Sequence, residues 1–510
     1  MSDREEQGDM SAEHLCAGTA GSTLPEGAAS PQPVAQRWMV LLCFSTLTLL
    51  NCMSWIQFAP ITDAVQAEYG ISSLYVDALS MIFMLTYIPL AFPAMRVTEQ
   101  FGLLGGIRAG AFFTAAGAWV RVASVGPRSY ALLLAGQTVI SLGQLPLLGA
   151  PPRLSLTWFP DSQWALATSI AVLANQAGGA VAYVVSPRLV ASGGAGLGDY
   201  LAAHAAVCTA VGLLVAAAVP PHPPHPASWA SVVAAARQAS GGGKGGKGGY
   251  KGGGGGTTGD GGSDGGGDGG GGGEGSTWAS FAQATRDDLA SFALAGRGGG
   301  GLLCAAYGIA VGCSYAVSTE LAGMLVPLRA TDTTVGWVGF SITTVGLAGS
   351  VLAGLALDAS RLHRPVLVGL TLASCASLAA LALAVAGGSL PGVFAAAGSF
   401  GFCLTGVLPV GFEYAVELAF PIPEDLVATA LNVVAQAAGI ALILAGSALG
   451  SPRALWALVV ALALATLLAT SVRGDMKRQR VQAEGHDRRP SDEDQERLAA
   501  GLEAASPMHG

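Results

Sequence analysis

Charged side chains are scarce. Asp, Glu, Lys and Arg make up 11% of the 510 residues, where a soluble domain carries about 25%. They fall mostly in a few polar blocks, and the runs between those blocks are too long and too apolar for a soluble fold. The net charge of −8 comes largely from the two tails and a middle loop, and no basic face invites nucleic acid. The eight cysteines have neither metal-site nor disulfide spacing. Seven of them (Cys43, Cys52, Cys208, Cys304, Cys313, Cys375 and Cys403) lie in apolar runs, where a thiol packs as a small hydrophobe. No nucleophile, metal cluster or phosphate loop suggests an enzyme, so no catalytic residue, metal ligand or cofactor is expected. The start of the chain lacks the basic stretch and short apolar core of a signal peptide.

What the chain has instead is long apolar runs. Helical runs of about 20 apolar residues are read as membrane spans. Six are expected at 38–59, 74–95, 103–125, 129–150, 164–186 and 200–219, and six more at 300–327, 334–357, 365–387, 391–413, 426–448 and 452–471. Between the sixes, Gly241 to Gly273 is an almost continuous glycine tract dotted with Lys and Asp. Such a segment cannot bury enough surface to fold. The expected division is a disordered tail (1–36), a six-helix bundle (37–219), a disordered Gly-rich loop (220–298), a second six-helix bundle (299–472) and a second disordered tail (473–510). A short amphipathic helix over Trp278–Leu294 precedes the seventh span. With the N-terminus inside, ten Lys and Arg fall at inner positions and five (Arg121, Arg128, Arg188, Arg329, Arg453) at outer ones. By the positive-inside rule both tails and the loop then face the cytosol.

Two sixes joined by a cytosolic linker suggest parallel repeats related by an axis along the membrane normal. The repeats can be aligned. A-N-Q-A-G-G at Ala174–Gly179 matches V-A-Q-A-A-G at Val434–Gly439, and Gln176 and Gln436 are 436 − 176 = 260 residues apart. Trp55 and Tyr315 share that offset. Each pair consists of residues able to contact a ligand. Aromatic faces attract desolvated cations, quaternary ammonium groups above all, and two amides can orient a hydroxyl or carbonyl without adding charge. The constellation suits a small organic cation, and the acidic residues Asp63, Glu68 and Asp77 toward the outer mouth would attract one. Trp55 alone could also be an interfacial anchor.

A second constellation is charged. The second-to-third loop carries Glu99 and Arg108, and the eighth-to-ninth carries Asp358, Arg361 and Arg364. These near-equivalent positions read either as a charge clamp or as a topology signal. Glu413 and Glu417 share a helix face at the inner end of the tenth span. Arg153 lies 413 − 153 = 260 residues before Glu413. A cross-half ion pair closing an inner gate is one reading, and snorkelling to the interface is the other. No Asp, Glu or His lies in mid-span of the substrate-facing N-terminal helices, which favours facilitated diffusion over proton coupling. Glu320 in the seventh span is the exception.

The chain resembles the feline leukaemia virus subgroup C receptor-related transporters, a family of the major facilitator superfamily. The motifs that carry the resemblance are N-C-M-S-W-I-Q-F (Asn51–Phe58), L-S-M-I-F-M-L-T-Y-I-P-L-A-F-P-A (Leu79–Ala94), G-A-W-V-R (Gly117–Arg121), A-V-L-A-N-Q-A-G (Ala171–Gly178), Y-A-V-S-T (Tyr315–Thr319), P-V-G-F-E-Y-A-V-E-L-A-F-P (Pro409–Pro421) and N-V-V-A-Q-A-A-G (Asn432–Gly439). The resemblance implies an all-α membrane protein of 12 transmembrane helices in two pseudo-symmetric six-helix bundles. It implies choline or ethanolamine transport, with haem export as the alternative, and places substrate on Trp55, Gln176, Tyr315 and Gln436. Glu320 departs from the family, which tends to be uncharged there.

Against haem, none of the seven histidines (His14, His204, His222, His225, His363, His486 and His509) is in mid-span. A non-transporting receptor or scaffold is a further alternative, but a scaffold need not keep two matched polar sites. The expected partners are a small-molecule substrate and the bilayer. The expected state is a monomer, and the expected location the plasma membrane.

Overall fold

The computed structural model describes residues 35–160, 163–191, 193–220, 223, 273–419, 422 and 424–472. The disorder expected for the tails and for the Gly tract lies almost wholly outside these residues, but the end of the expected disordered loop, residues 273–298, is helical. Among the described residues, 12 helices are long and apolar enough to cross a membrane. In order they are Gln36–Tyr69, Ser73–Thr98, Gln100–Val125, Tyr130–Leu148, Leu166–Leu189, Leu197–Ala218, Gly299–Leu328, Asp332–Leu357, His363–Ala386, Leu390–Ala419, Glu424–Leu449 and Arg453–Ser471. They are called the first to twelfth spans. Because twelve spans alternate in direction, both tails and the middle loop attach on one side, the tail side; the other is the far side.

Each boundary has a local cause. The second and third spans run as one helix, Ser73–Val125, interrupted at Gly102, whose φ of 72° and ψ of 175° suit a residue without Cβ. The helix leading into the seventh span starts at Gly273 and runs to Met324. A Cβ on Gly300 would lie 2.0 Å from the carbonyl oxygen of Phe292. Along a straight helix eight residues span about 12 Å, so this helix bends back sharply there. The segment before the bend is the expected pre-span helix, and it docks on the tail-side end of the second span, with the Arg96 guanidinium 5.6 Å from the Phe281 ring centre.

The two bundles pack through the fifth span against the eighth and the second against the eleventh. Their apolar cores are not alike. One buried cluster joins far-side residues of the first bundle (Ile56, Phe58, Ile61, Val65, Leu79, Tyr183) to residues of the second (Val317, Leu321, Met324, Val338). The tail-side interior of the first bundle (Phe44, Leu47, Leu147, Leu154, Trp158) forms a cluster of its own. The halves are thus sealed to each other on the far side.

Candidate functional site

The first span breaks at the site. Its long helix ends at Ile56 and a 3-10 turn, Ala59–Ile61, follows with Pro60 inside it. Pro60 has no N–H to donate back to Ile56, so the α-helix cannot continue through it. Trp55 stands on the last turn before this break. Its ring meets Tyr315 edge to face, centroids 5.6 Å apart at 78°. The two aromatics that share an offset in sequence therefore touch across the seam, and both remain half-buried.

Tyr315 can sit so close to the eleventh span because of Gly439. A Cβ there would lie 3.0 Å from Tyr315 Cδ2 and 3.2 Å from Met84 Sδ. Gln436 is one turn earlier on the same helix. It is buried, and its Oε1 has no hydrogen-bond partner. Leaving a buried acceptor unmatched costs about 1–3 kcal/mol. Gln176 is half-buried in the fifth span, whose register on the first is fixed beside it: Asn175 Nδ2 donates to Thr48 Oγ1 at 2.9 Å and to Thr48 O at 3.2 Å. Met84 and the hydrogen-bonded pair Tyr87 and Asn432 join this region. Two of these lie in the quoted stretch Leu79–Ala94, and Asn432 opens another quoted stretch. What no offset revealed is that they face the seam. Gln57 points away: it is fully buried and accepts from Tyr200 Oη at 3.2 Å, a helix-to-helix bond within the first bundle.

The far side is latched by polar contacts. Tyr183 of the fifth span donates its hydroxyl to the carbonyl of Ser318 in the seventh at 2.5 Å. Ser447 of the eleventh lies 2.9 Å from Glu320 Oε1 and 3.3 Å from Asp77 Oδ2. Glu320 is therefore not an isolated intramembrane charge; it meets an acid of the other half through one hydroxyl. The expected anionic mouth is correspondingly weaker. Asp77 is 8% exposed and turned into the seam, and Glu68 pairs with Arg128 at 3.2 Å. Of the three acids, Asp63 alone is exposed.

On the tail side, Arg153 does reach across the halves, and one carboxylate it meets is that of Asp425, Nη2 to Oδ2 3.5 Å. The pair is exposed. Glu413 is exposed and Glu417 buried. Arg108 donates to the carbonyls of Ala216 and Val219 at 3.3 and 3.5 Å, capping the end of the sixth span, and Arg364 does the same for the twelfth through Thr470 O. Unsatisfied C-terminal carbonyls and the helix dipole both favour a cation there. Arg364, rather than Arg361, is thus the counterpart of Arg108. Arg361 is exposed and closes the eighth span with a left-handed backbone, φ 54°. The side chains of Glu99 and Asp358 lie outside the described residues.

The profile of the Major Facilitator Superfamily matches residues 44–285. Choline/ethanolamine transporter flvcr2b of Danio rerio is 31% identical over 420 residues, covering 79% of this chain and 76% of that protein. Choline/ethanolamine transporter FLVCR1 of Felis catus is 30% identical over 469 residues, 91% of this chain and 77% of its own. The chain belongs to this transporter family. FLVCR2 of Homo sapiens, also a choline/ethanolamine transporter, is 28% identical over 486 residues, 93% and 84% of the two chains. Among solved structures, an inward-facing bacterial homolog of the lysosomal transporter Spinster aligns over 87% of this chain and 100% of its own, with a TM-score of 0.59 at 14% identity. The transporter FucP in its outward conformation aligns over 86% and 100% with a TM-score of 0.53 at 15% identity. These two likenesses establish the fold. The chain is thus a twelve-span membrane transporter of the major facilitator superfamily, not an enzyme.

Proposed function

We propose that this family member carries a choline- or ethanolamine-like cation across the membrane by alternating access. Trp55, Tyr315, Gln176 and Gln436 form its binding site. The observation that carries the reading is the meeting of Trp55 and Tyr315 across the seam, one turn from the unpartnered amide oxygen of Gln436. An ammonium group is drawn to the aromatic faces, and a hydroxyl or N–H of the same molecule can donate to Gln436 Oε1. In the present state the two rings lie against each other, so substrate enters by parting them or by sitting on the surface each leaves uncovered. With the far side sealed, the conformation presents the site toward the tail side. We place that side in the cytosol and the protein in the plasma membrane as a monomer. The acids of the far-side latch stand apart from the four site residues, and this supports facilitative transport.

Haem fits less well. His204 is committed to Ser54 and Arg121, and His363 lies against Tyr414, rings 5.9 Å apart. Neither histidine is offered to the seam. Uptake of labelled choline and of ethanolamine into cells expressing the chain tests the proposal. Saturable uptake above that of untransfected cells is expected, and uptake at background would overturn it, with haem export from loaded cells as the next assay.

A further inference from the structure

The most buried charge among the described residues plays no part in the four-residue site. Arg121, in the third span, is fully buried, and no carboxylate is among its partners. An ionised side chain inside a membrane bundle is costly and marks function more often than packing. Its contacts lead to Trp55.

Arg121 Nη1 donates to Gln137 Oε1 at 2.9 Å, and Nη2 to His204 Nδ1 at 3.1 Å. A guanidinium can only donate, so both assignments are forced. Gln137 must turn its oxygen to Arg121 and its nitrogen away. That Nε2 has two hydrogens and two acceptors, Ser54 O at 3.1 Å and Leu79 O at 3.0 Å. His204, accepting at Nδ1, carries its proton on Nε2 and donates it to Ser54 Oγ at 3.3 Å. Ser54 Oγ in turn donates to Leu50 O at 2.9 Å. Ser54 is therefore held by both backbone and side chain. The next residue is Trp55, whose own carbonyl accepts from Ser80 Oγ at 3.2 Å. These are last-turn carbonyls of a helix that stops at Ile56, and side chains of other spans replace the missing intrahelical donors. On the far side of the break, the Arg121 guanidinium lies 5.8 Å from the Phe58 ring centre.

We infer that Arg121 is a positioning residue: through Gln137 and His204 it fixes the broken turn of the first span and so aims the Trp55 ring at Tyr315 and the substrate. The inference rests on the cation site proposed above. It gives a reason for a cation buried among neutral acceptors. A neutral residue could fill the space, but it could not set the Gln137 amide and the His204 tautomer together.

The test is Gln137→Glu, which keeps shape and an acceptor for Arg121 but replaces the two N–H donors with an oxygen facing two carbonyls. Expected is a KM for choline raised roughly tenfold with kcat within about twofold, the loss of two neutral hydrogen bonds. In a Trp55→Ala background the same substitution should change KM by less than about twofold, because the aimed ring is gone; a merely structural defect would persist there. Arg121→Lys, one point charge in place of a fork, should raise KM in the same way, and it gives the reading if Gln137→Glu does not reach the membrane. A KM equal to wild type in these variants, or a rise undiminished without Trp55, overturns the inference. Hydrogen exchange needs no substrate: faster exchange confined to residues 54–61 in Gln137→Glu is expected, and an unchanged or uniformly faster profile contradicts it. Should wild-type uptake of choline be at background, the substrate proposal fails alone and exchange still decides this one.

Discussion

Tyr183→Phe isolates the far-side latch. The substitution removes one hydroxyl and nothing else. Its hydrogen bond to Ser318 O is short, 2.5 Å, and joins the two bundles. Ser318 lies within the helix Gly273–Met324, so its carbonyl keeps an intrahelical donor after the change and no orphan acceptor complicates the reading. The loss is that of one neutral hydrogen bond, about 1 kcal/mol. A two-state equilibrium shifts by about fivefold for that energy, toward the far-side-open form in which the bond does not exist. The assay is labelling of a cysteine placed at Thr319, which is 2% exposed here, by a membrane-impermeant thiol reagent applied to the far side. Labelling should quicken about fivefold in Tyr183→Phe over the same cysteine in the parent. An unchanged rate would mean the hydroxyl does not hold the halves together, and slower labelling would refute the assignment of the closed side.

Three other substitutions follow from the same geometry. Ser447→Ala removes the hydroxyl that bridges Asp77 and Glu320 and should also speed far-side labelling several-fold; no change would leave those acids without a role in closure. Asp425→Asn removes the charge from an exposed pair with Arg153. Exposed pairs contribute about 0.2–1 kcal/mol, so transport should change by less than about fivefold, and a loss of tenfold or more would show a gate of another kind. Gln436→Leu removes a buried acceptor that has no partner, so the melting temperature should rise by the equivalent of about 1 kcal/mol while choline uptake falls. Intact uptake in this variant would remove Gln436 from the site.

Much of this was legible in the chain itself because it is local or symmetric. Apolar run length gives the spans, and the shared offset of 260 singles out Trp55 and Tyr315, which then prove to be in contact. Symmetry names equivalent positions, however, and not the partners that meet across the seam. Arg153 shares the offset with Glu413, and the offset does not name Asp425, 272 residues away, which also meets it across the seam. Arg121 shows the limit most clearly. Near the end of its run it counts as an outer-loop charge, but its acceptors are 16 and 83 residues away in other spans, and they draw it wholly into the bundle. Arg108 and Arg364 fall in clamp-like loop positions, and what they hold are the ends of the sixth and twelfth spans. The convergence of Glu320 and Asp77 on the Ser447 hydroxyl could not be read from composition, because it arises only where the second, seventh and eleventh spans meet.

The central claim is that Trp55 and Tyr315 recognise a small organic cation at the seam. Uptake of labelled choline into proteoliposomes holding the purified chain tests it most directly, with Trp55→Ala measured alongside. The account predicts saturable uptake by the wild type and a KM raised about 30-fold in Trp55→Ala, equivalent to the loss of a desolvated cation–π contact of about 2 kcal/mol. Choline uptake with the same KM in Trp55→Ala would contradict it.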